Sequence, residues 1–441
     1  MDLKEIFAQA IIDNNIDNQE YGRWGVKKGL RNEDGTGVLV GLTRIADVVG
    51  YQMIDGKKTD DYGSLYYRGI SLEAIVEGLE GKRFGFEEVA FLIIFGHLPN
   101  KAELQKFIDV LTAAYPLPTE FLLVNVLANP TMNVMNKIQR NLLMLYEMDE
   151  NPDDGSEENV LMQGLNVIAK LPSIIVYGYQ VKKHLLDKQS LVIHQSDQSL
   201  SLAELLLSLL RPDGSYTALE ASLLDLMLIL HIDHGAGNNS TFTSIVVSST
   251  GTDLYSALSA AVGSLKGPKH GGANICVSHM MKAIIEDIGT EATDEQITDV
   301  INRLLDKDYF DNSGLVYGLG HAVYTLSDPR CELLRKKAEK LAEAKGCLAK
   351  YRFLVRFESL AKEVIYQRKG KRVCANVDFY SGFVYELLAI PEDLYTPLFV
   401  MARTVGWIAH IIENRLYCSR IIRPAGKYVG EIKDYVDRED R

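Results

Sequence analysis

LAELLLSLL at Leu202–Leu210 and SLLDLMLIL at Ser222–Leu230 are apolar on nearly every helical face. A surface helix shows one apolar stripe, whereas a helix that is hydrophobic all round must be covered on every side. Two such segments close together predict a large helical domain with a buried central layer, not a thin bundle. Helix starts recur on either side of them. Asn100 and Glu103, Ser201 and Glu204, and Thr293 and Gln296 have the three-residue spacing of a capping box or its close relative. After Thr293, the residues Ile297, Val300, Ile301, Leu304 and Leu305 trace a single apolar stripe. Asp328–Pro329, a cap followed by proline in the first turn, predicts a helix through Leu334, Ala338 and Leu341 that stops at Gly346.

Strand signals are sparse. Val38–Leu42 follows Asp34–Gly35, and a second short run ends at Asp55–Gly56, so a small N-terminal β-hairpin is expected there. Met148–Glu158, rich in Asp, Asn and Pro, reads as a surface loop. The expected fold class is all-α with that one hairpin.

The chain has 441 residues, 47% hydrophobic and 24% charged, which suits two or three domains or one large core with a smaller partner. Its formal net charge of -12 argues against wrapping nucleic acid or lying on an anionic membrane, since both need a basic face. No run approaches the ~18 consecutive apolar residues of a membrane span. The five cysteines (Cys276, Cys331, Cys347, Cys374 and Cys418) are scattered and form no Cys-x-x-Cys pair, which fits free thiols in a reducing compartment. The N-terminus carries acids where a mitochondrial transit peptide carries arginines, so a cytoplasmic location is expected.

Three segments hold chemistry that packing alone does not explain. HIDHGAGNNS at 231–240 leads on to LKGPKHGGAN at 265–274, where His270 is boxed in by Gly267, Pro268, Gly271 and Gly272. GLGHAVYTLSDPR at 318–330 sets His321 after a Gly-x-Gly and Arg330 at a helix start, whose free N–H groups suit an anion. NVDFYSG at 376–382 places Asp378 between Val377 and Phe379, where burial would lift its pKa toward that of a general base. A helix N-cap is the plain alternative for Asp378. Arg403 interrupts the apolar run from Leu398 to Ala409. A buried unpaired guanidinium costs several kcal/mol, so it needs an acidic side chain or a bound anion. Arg423 reads equally as a second such cation or a solvated surface residue. His231, Asp233 and His234 have a spacing that suits metal ligands, and a metal-dependent hydrolase is the alternative they support; no second ligand pair at metal spacing accompanies them.

Together these runs, with LYYRGI at Leu65–Ile70, FEEVAFLIIFG at Phe86–Gly96 and FVMARTVGWIAH at 399–410, resemble the signature segments of the citrate synthase family, over roughly residues 35 to 430. The resemblance implies a catalytic trio of His270, His321 and Asp378. Asp378 would deprotonate the acetyl methyl, His270 would stabilise the enol oxygen, and His321 would polarise the oxaloacetate ketone. It places His234, Asn238, Arg330, Arg403 and Arg423 at the oxaloacetate carboxylates, the last from the neighbouring subunit of a homodimer. Lys371 and Asn376 fall where coenzyme A is held. The chain departs from the family at Gly235, where many relatives have Glu, at Ala322 and Thr325, where a cation is common, and at Ala375, where Pro is usual. The resemblance further implies a large domain of residues 1–271 and 389–441, and a small domain, 272–388, that closes over the substrates. Acetyl-CoA would be a co-substrate, with no other cofactor and no metal. A 2-methylcitrate synthase using propionyl-CoA would carry the same residues, because one methylene in an apolar pocket changes selectivity by only ~1–3 kcal/mol.

Overall fold

The computed structural model describes residues 2–32, 35–54, 57–418 and 420–440. The chain divides into two compact units, Met1–Gly41 with Ile422–Arg441, and Leu42–Ile421. The first unit contains the helices Leu3–Asp13 and Gln19–Arg23, neither of which buries a residue. In the same unit Lys427 lies over the Trp24 ring.

The second unit is helical around a continuous core, as the two apolar segments predict. In Leu202–Leu210 seven residues are buried, and Ala218–His231 buries ten. The latter helix begins earlier than its apolar run, because Thr217 and Glu220 form a capping box ahead of it. All three expected boxes are present, at Asn100, Ser201 and Thr293. Asp328 caps the helix Pro329–Ala344, and Gly346 follows in the left-handed region.

At the centre lies the helix Tyr395–Tyr417, buried almost without a break from Tyr395 to Ile411. It packs against Glu157–Leu185, Ala218–His231, Asn239–Ser248 and Gly85–Phe95. Glu157–Leu185 is long and apolar enough to cross a membrane, yet most of that stretch is covered by protein, as a core helix is. A second group of helices packs mainly on itself: Ala273–Ile288 and Pro329–Ala344 each lie against Asp378–Leu387, and Asp294–Leu305 lies against Leu348–Lys369. Pro329–Ala344 also meets Ala218–His231, which joins the two groups. The range 272–388 holds this second group, inside the unit Leu42–Ile421.

The hairpin exists but sits later than expected. Val38–Leu42 forms no strand; the strands are β1 (Ala46–Ile54) and β2 (Lys57–Tyr67), antiparallel, with a two-residue β3 (Ile70–Ser71) beside β2. Asp34 and the Asp55–Gly56 turn signal lie outside the described residues. The true strands read poorly because β2 begins KKTDDYG, a charged run. Pairing of the two strands, not apolar alternation, makes them β.

One close approach fixes the site. A Cβ on Gly406, within Tyr395–Tyr417, would lie 2.5 Å from Asp233 Oδ1 and 2.6 Å from Ile232 O. Only glycine lets this helix touch the segment after His231. Gly406→Ala should therefore destabilise the fold by ~1–3 kcal/mol through overpacking. Urea denaturation checks this, and an unchanged midpoint would show that the segment yields freely.

Candidate active site

Arg403 is fully buried on Tyr395–Tyr417. Its Nε donates to His231 O at 2.7 Å, and its guanidinium lies 4.7 Å from the Phe399 ring centroid. Nη1 and Nη2 are buried with no hydrogen-bond partner among the described residues. Burial pulls its pKa down to about 10, against the attraction of Asp233. A guanidinium with two unused nitrogens in the core needs an acidic side chain or a bound anion.

The residues around it share that character. His234 Nε2 is likewise buried and unpartnered, and burial, with Arg330 beside it, pushes its pKa well down. Its ring meets His321 edge-on at 5.1 Å. Asp233 does not face the pocket as a free acid. Its Oδ2 accepts from the Gly235 amide at 2.8 Å and its Oδ1 lies 3.2 Å from His410 Nε2. Burial would raise this carboxyl, but His410, Arg403 and the Gly235 amide together lower it, and the pKa falls. His231 bonds Met227 O through Nδ1. His231 and Asp233 thus turn to different partners, and no metal-holding group of three acids, thiols or imidazoles exists among the described residues.

His270 follows the helix Leu254–Leu265 in a tight turn, where its amide donates to Gly267 O at 2.9 Å. Its Nε2 lies 3.1 Å from both Asn238 Oδ1 and Ser240 Oγ. Ser240 Oγ accepts from Trp407 Nε1 at 3.2 Å. The hydroxyl therefore has one proton to give, to Asn238 Oδ1 or to His270. Burial, with Arg403 nearby, lowers the His270 pKa to about 4.

His321 has its tautomer set by the backbone. Its Nδ1 accepts from the amides of Val323 and Tyr324 at 3.0 and 3.1 Å, so a neutral ring carries its proton on Nε2. Burial and Arg330 hold its pKa near 4. Arg330 is gripped by Asp328, with Nε to Oδ1 at 3.0 Å and Nη2 to Oδ2 at 2.7 Å. Burial opposes its charge, but Asp328 prevails and raises its pKa.

Asp378 is the first residue of Asp378–Leu387, and its carboxylate makes no cap bond; the amide is capped instead by Asn376 Oδ1 at 3.0 Å. The N-cap alternative is thus set aside. Its residue surface is partly open, yet the carboxyl sits deep among protein atoms, and this burial lifts its pKa to about 6. Asn376 also donates from Nδ2 to Gly320 O at 2.9 Å, so one amide ties the His321 loop to the Asp378 turn.

Residues 33–425 match the family described as "Citrate synthase, C-terminal domain". The chain belongs to the citrate synthase family. It is an enzyme, an acyltransferase. It is 35% identical over 410 residues to the citrate synthase of Haloferax volcanii, covering 92% of this chain and 96% of that one. It is also 33% identical over 366 residues to the 2-methylcitrate synthase of Shewanella oneidensis, covering 83% and 88%. The fold is similar to citrate synthase from Thermoplasma acidophilum, solved as a ternary complex with carboxymethyl coenzyme A and oxaloacetate, with a TM-score of 0.73, 26% identity, and 92% and 97% of the two chains covered.

The structure thus gathers His234, Asn238, His270, His321, Arg330, Asp378 and Arg403 within one unit. Arg423 is exposed and belongs to the terminal unit. Lys371 is exposed just beyond Leu348–Lys369, and Asn376 has both ends of its amide engaged. Sequence reading missed Ser240, Trp407, Asp328 as the Arg330 clamp, and the Asp233–His410 pair. Only Asp328 left a signal, as the cap before Pro329.

Asp378 makes stability pH-dependent. Its carboxyl rises from an ordinary 3.8 to about 6, so the stability linked to it is full below the lower value and is lost as pH climbs through the upper one. Asp378→Asn should match the parent near about pH 4 and exceed it near about pH 8. Urea melts at both pH values check this; a parent as stable as the variant at the higher pH contradicts the shift.

Proposed function

We propose that the protein condenses acetyl-CoA with oxaloacetate and hydrolyses the resulting thioester, giving citrate and CoA. The buried, two-handed vacancy of Arg403 carries this reading: it calls for a planar anion, and a carboxylate matches its fork. Arg330, His234 and Asn238 surround the same substrate, and Arg423 of a second subunit completes the set.

Asp378 removes a proton from the acetyl methyl. A carboxyl lifted to about 6 is ionised near neutrality and is a stronger base than an ordinary aspartate. The enol oxygen needs a donor at that moment. When the Ser240 hydroxyl gives its proton to His270 Nε2, the neutral ring keeps its own on Nδ1 and offers it to that oxygen. His321 donates from Nε2 to the oxaloacetate ketone as carbon attacks. Donors fixed in advance reorganise little during reaction, which makes such electrostatic stabilisation large. The route uses side chains, the two substrates and one water, which the hydrolysis of the thioester consumes.

Residues 272–388 form the part that closes, since Asp378 and His321 lie in it while Arg403 and His234 lie outside, and closure excludes water until carbon–carbon bond formation is complete. Exposed Leu123, Val124 and Met132 support a homodimer by offering apolar surface to a second copy. All five cysteines are free, which supports the cytoplasm as the compartment.

CoA release, followed with a thiol reagent and corrected for the protein's own cysteines, tests the reaction. Rapid release with acetyl-CoA that requires oxaloacetate is expected; preference for propionyl-CoA would make the protein a 2-methylcitrate synthase. Asp378→Ala should lower kcat by roughly 10²- to 10⁴-fold and leave oxaloacetate binding intact. In the parent, kcat should fall about tenfold per unit below about pH 6, as the base is protonated. Arg403→Leu should raise the oxaloacetate KM greatly; an unaltered KM would assign the guanidinium to an internal acid.

A further inference from the structure

β1 and β2 pair from Ala46 opposite Tyr67 to Val49 opposite Ser64, and again from Tyr51 opposite Asp60. Between these stretches Gly50 alone stands against Asp61, Tyr62 and Gly63, and the ladder is broken. A broken ladder leaves backbone groups to find other partners. They find them on the loop that carries His321. Thr325 Oγ1 donates to Gly50 O at 2.7 Å, with Asp61 O as a second acceptor at 3.1 Å, and accepts from the Asp61 amide at 3.1 Å. Ser327 Oγ accepts from the Gly63 amide at 3.0 Å.

The two backbones are in direct contact. A Cβ on Gly50 would lie 2.6 Å from Tyr324 Cα and from Val323 O, and one on Gly63 would overlap Ser327 O. Val323 and Tyr324 are also the residues whose amides hold His321 Nδ1. The strand irregularity therefore presses on the groups that aim the imidazole and set its tautomer.

We propose that the hairpin bulge and the Thr325 hydroxyl together position His321, acting through the Val323 and Tyr324 amides. Thr325 is a positioning residue and does not touch substrate. This rests on the reading of His321 as donor to the ketone. Loss of the hydroxyl frees Gly50 O and the Asp61 amide, loosens the loop and releases Nδ1. The donor is needed most in the transition state, so kcat suffers while substrate affinity does not.

The test compares Thr325→Val and Thr325→Ser in the full-length enzyme by steady-state kinetics and by ¹⁵N NMR of labelled histidine rings, with the His321 signals assigned through His321→Gln. Thr325→Val should lower kcat by roughly 10- to 100-fold, keep the oxaloacetate KM within about twofold, and move the His321 Nδ1 signal toward mixed tautomers. Thr325→Ser should restore both. Parental kcat and ring signals in Thr325→Val, or equal losses in both variants, overturn the proposal. If Thr325→Val does not fold, Ser327→Ala must lower kcat with the same KM pattern, and a silent Ser327→Ala overturns it as well. A parent that condenses nothing, but whose His321 signal still moves in Thr325→Val, overturns the condensation reading and leaves the positioning role standing.

Discussion

The guanidinium of Arg403, sealed in the core with only Nε bonded among the described residues, is the constraint around which the rest of the site is arranged. A charge so placed is tolerable only if its surroundings restrain it and an acid or a bound anion offsets it. The restraint comes from Phe399 beneath the guanidinium, from His231 O, and from the field of Asp233. Gly406 makes this possible by bringing the central helix against Ile232 and Asp233.

The same positive charge organises the titratable groups. Burial lowers the pKa of His231, His234 and His270; Arg403 adds to this at all three, and Arg330 at His231 and His234. A neutral imidazole has one proton, so where that proton sits becomes decisive, and at His321 two backbone amides on Nδ1 settle it. Arg330 and Arg403 also restrain Asp378, whose pKa burial would otherwise carry higher. A raised carboxyl at Asp378, lowered imidazoles and a clamped Arg330 are consequences of one electrostatic environment.

The second helical group supplies the other half. Asp328 clamps Arg330 at the start of Pro329–Ala344, and Asn376 joins the Gly320 carbonyl to the Asp378 amide. His321 and Asp378 are thereby linked by one short hydrogen-bonded path, while Asp328 fixes Arg330. The hairpin bulge seats the same loop from outside.

The sequence by itself determined the helical class, because all-round apolarity at 202–210 and 222–230 allows no surface placement, and capping spacing is a local property. It marked Arg403 and Asp378 for the same reason: a charge inside an apolar run is anomalous before any fold is known. Only the tertiary structure decided where β1 and β2 lie, since pairing overrides the charged composition of β2. It alone decided that the amides of Val323 and Tyr324 hold His321 Nδ1, and that His270 meets partners 32 and 30 residues away. It alone decided that Asp328 belongs to Arg330 and Asp233 to His410, and that Arg403 keeps two nitrogens free. Hydrogen bonds and charge pairs depend on distances that folding sets, and residue spacing along a chain does not contain them.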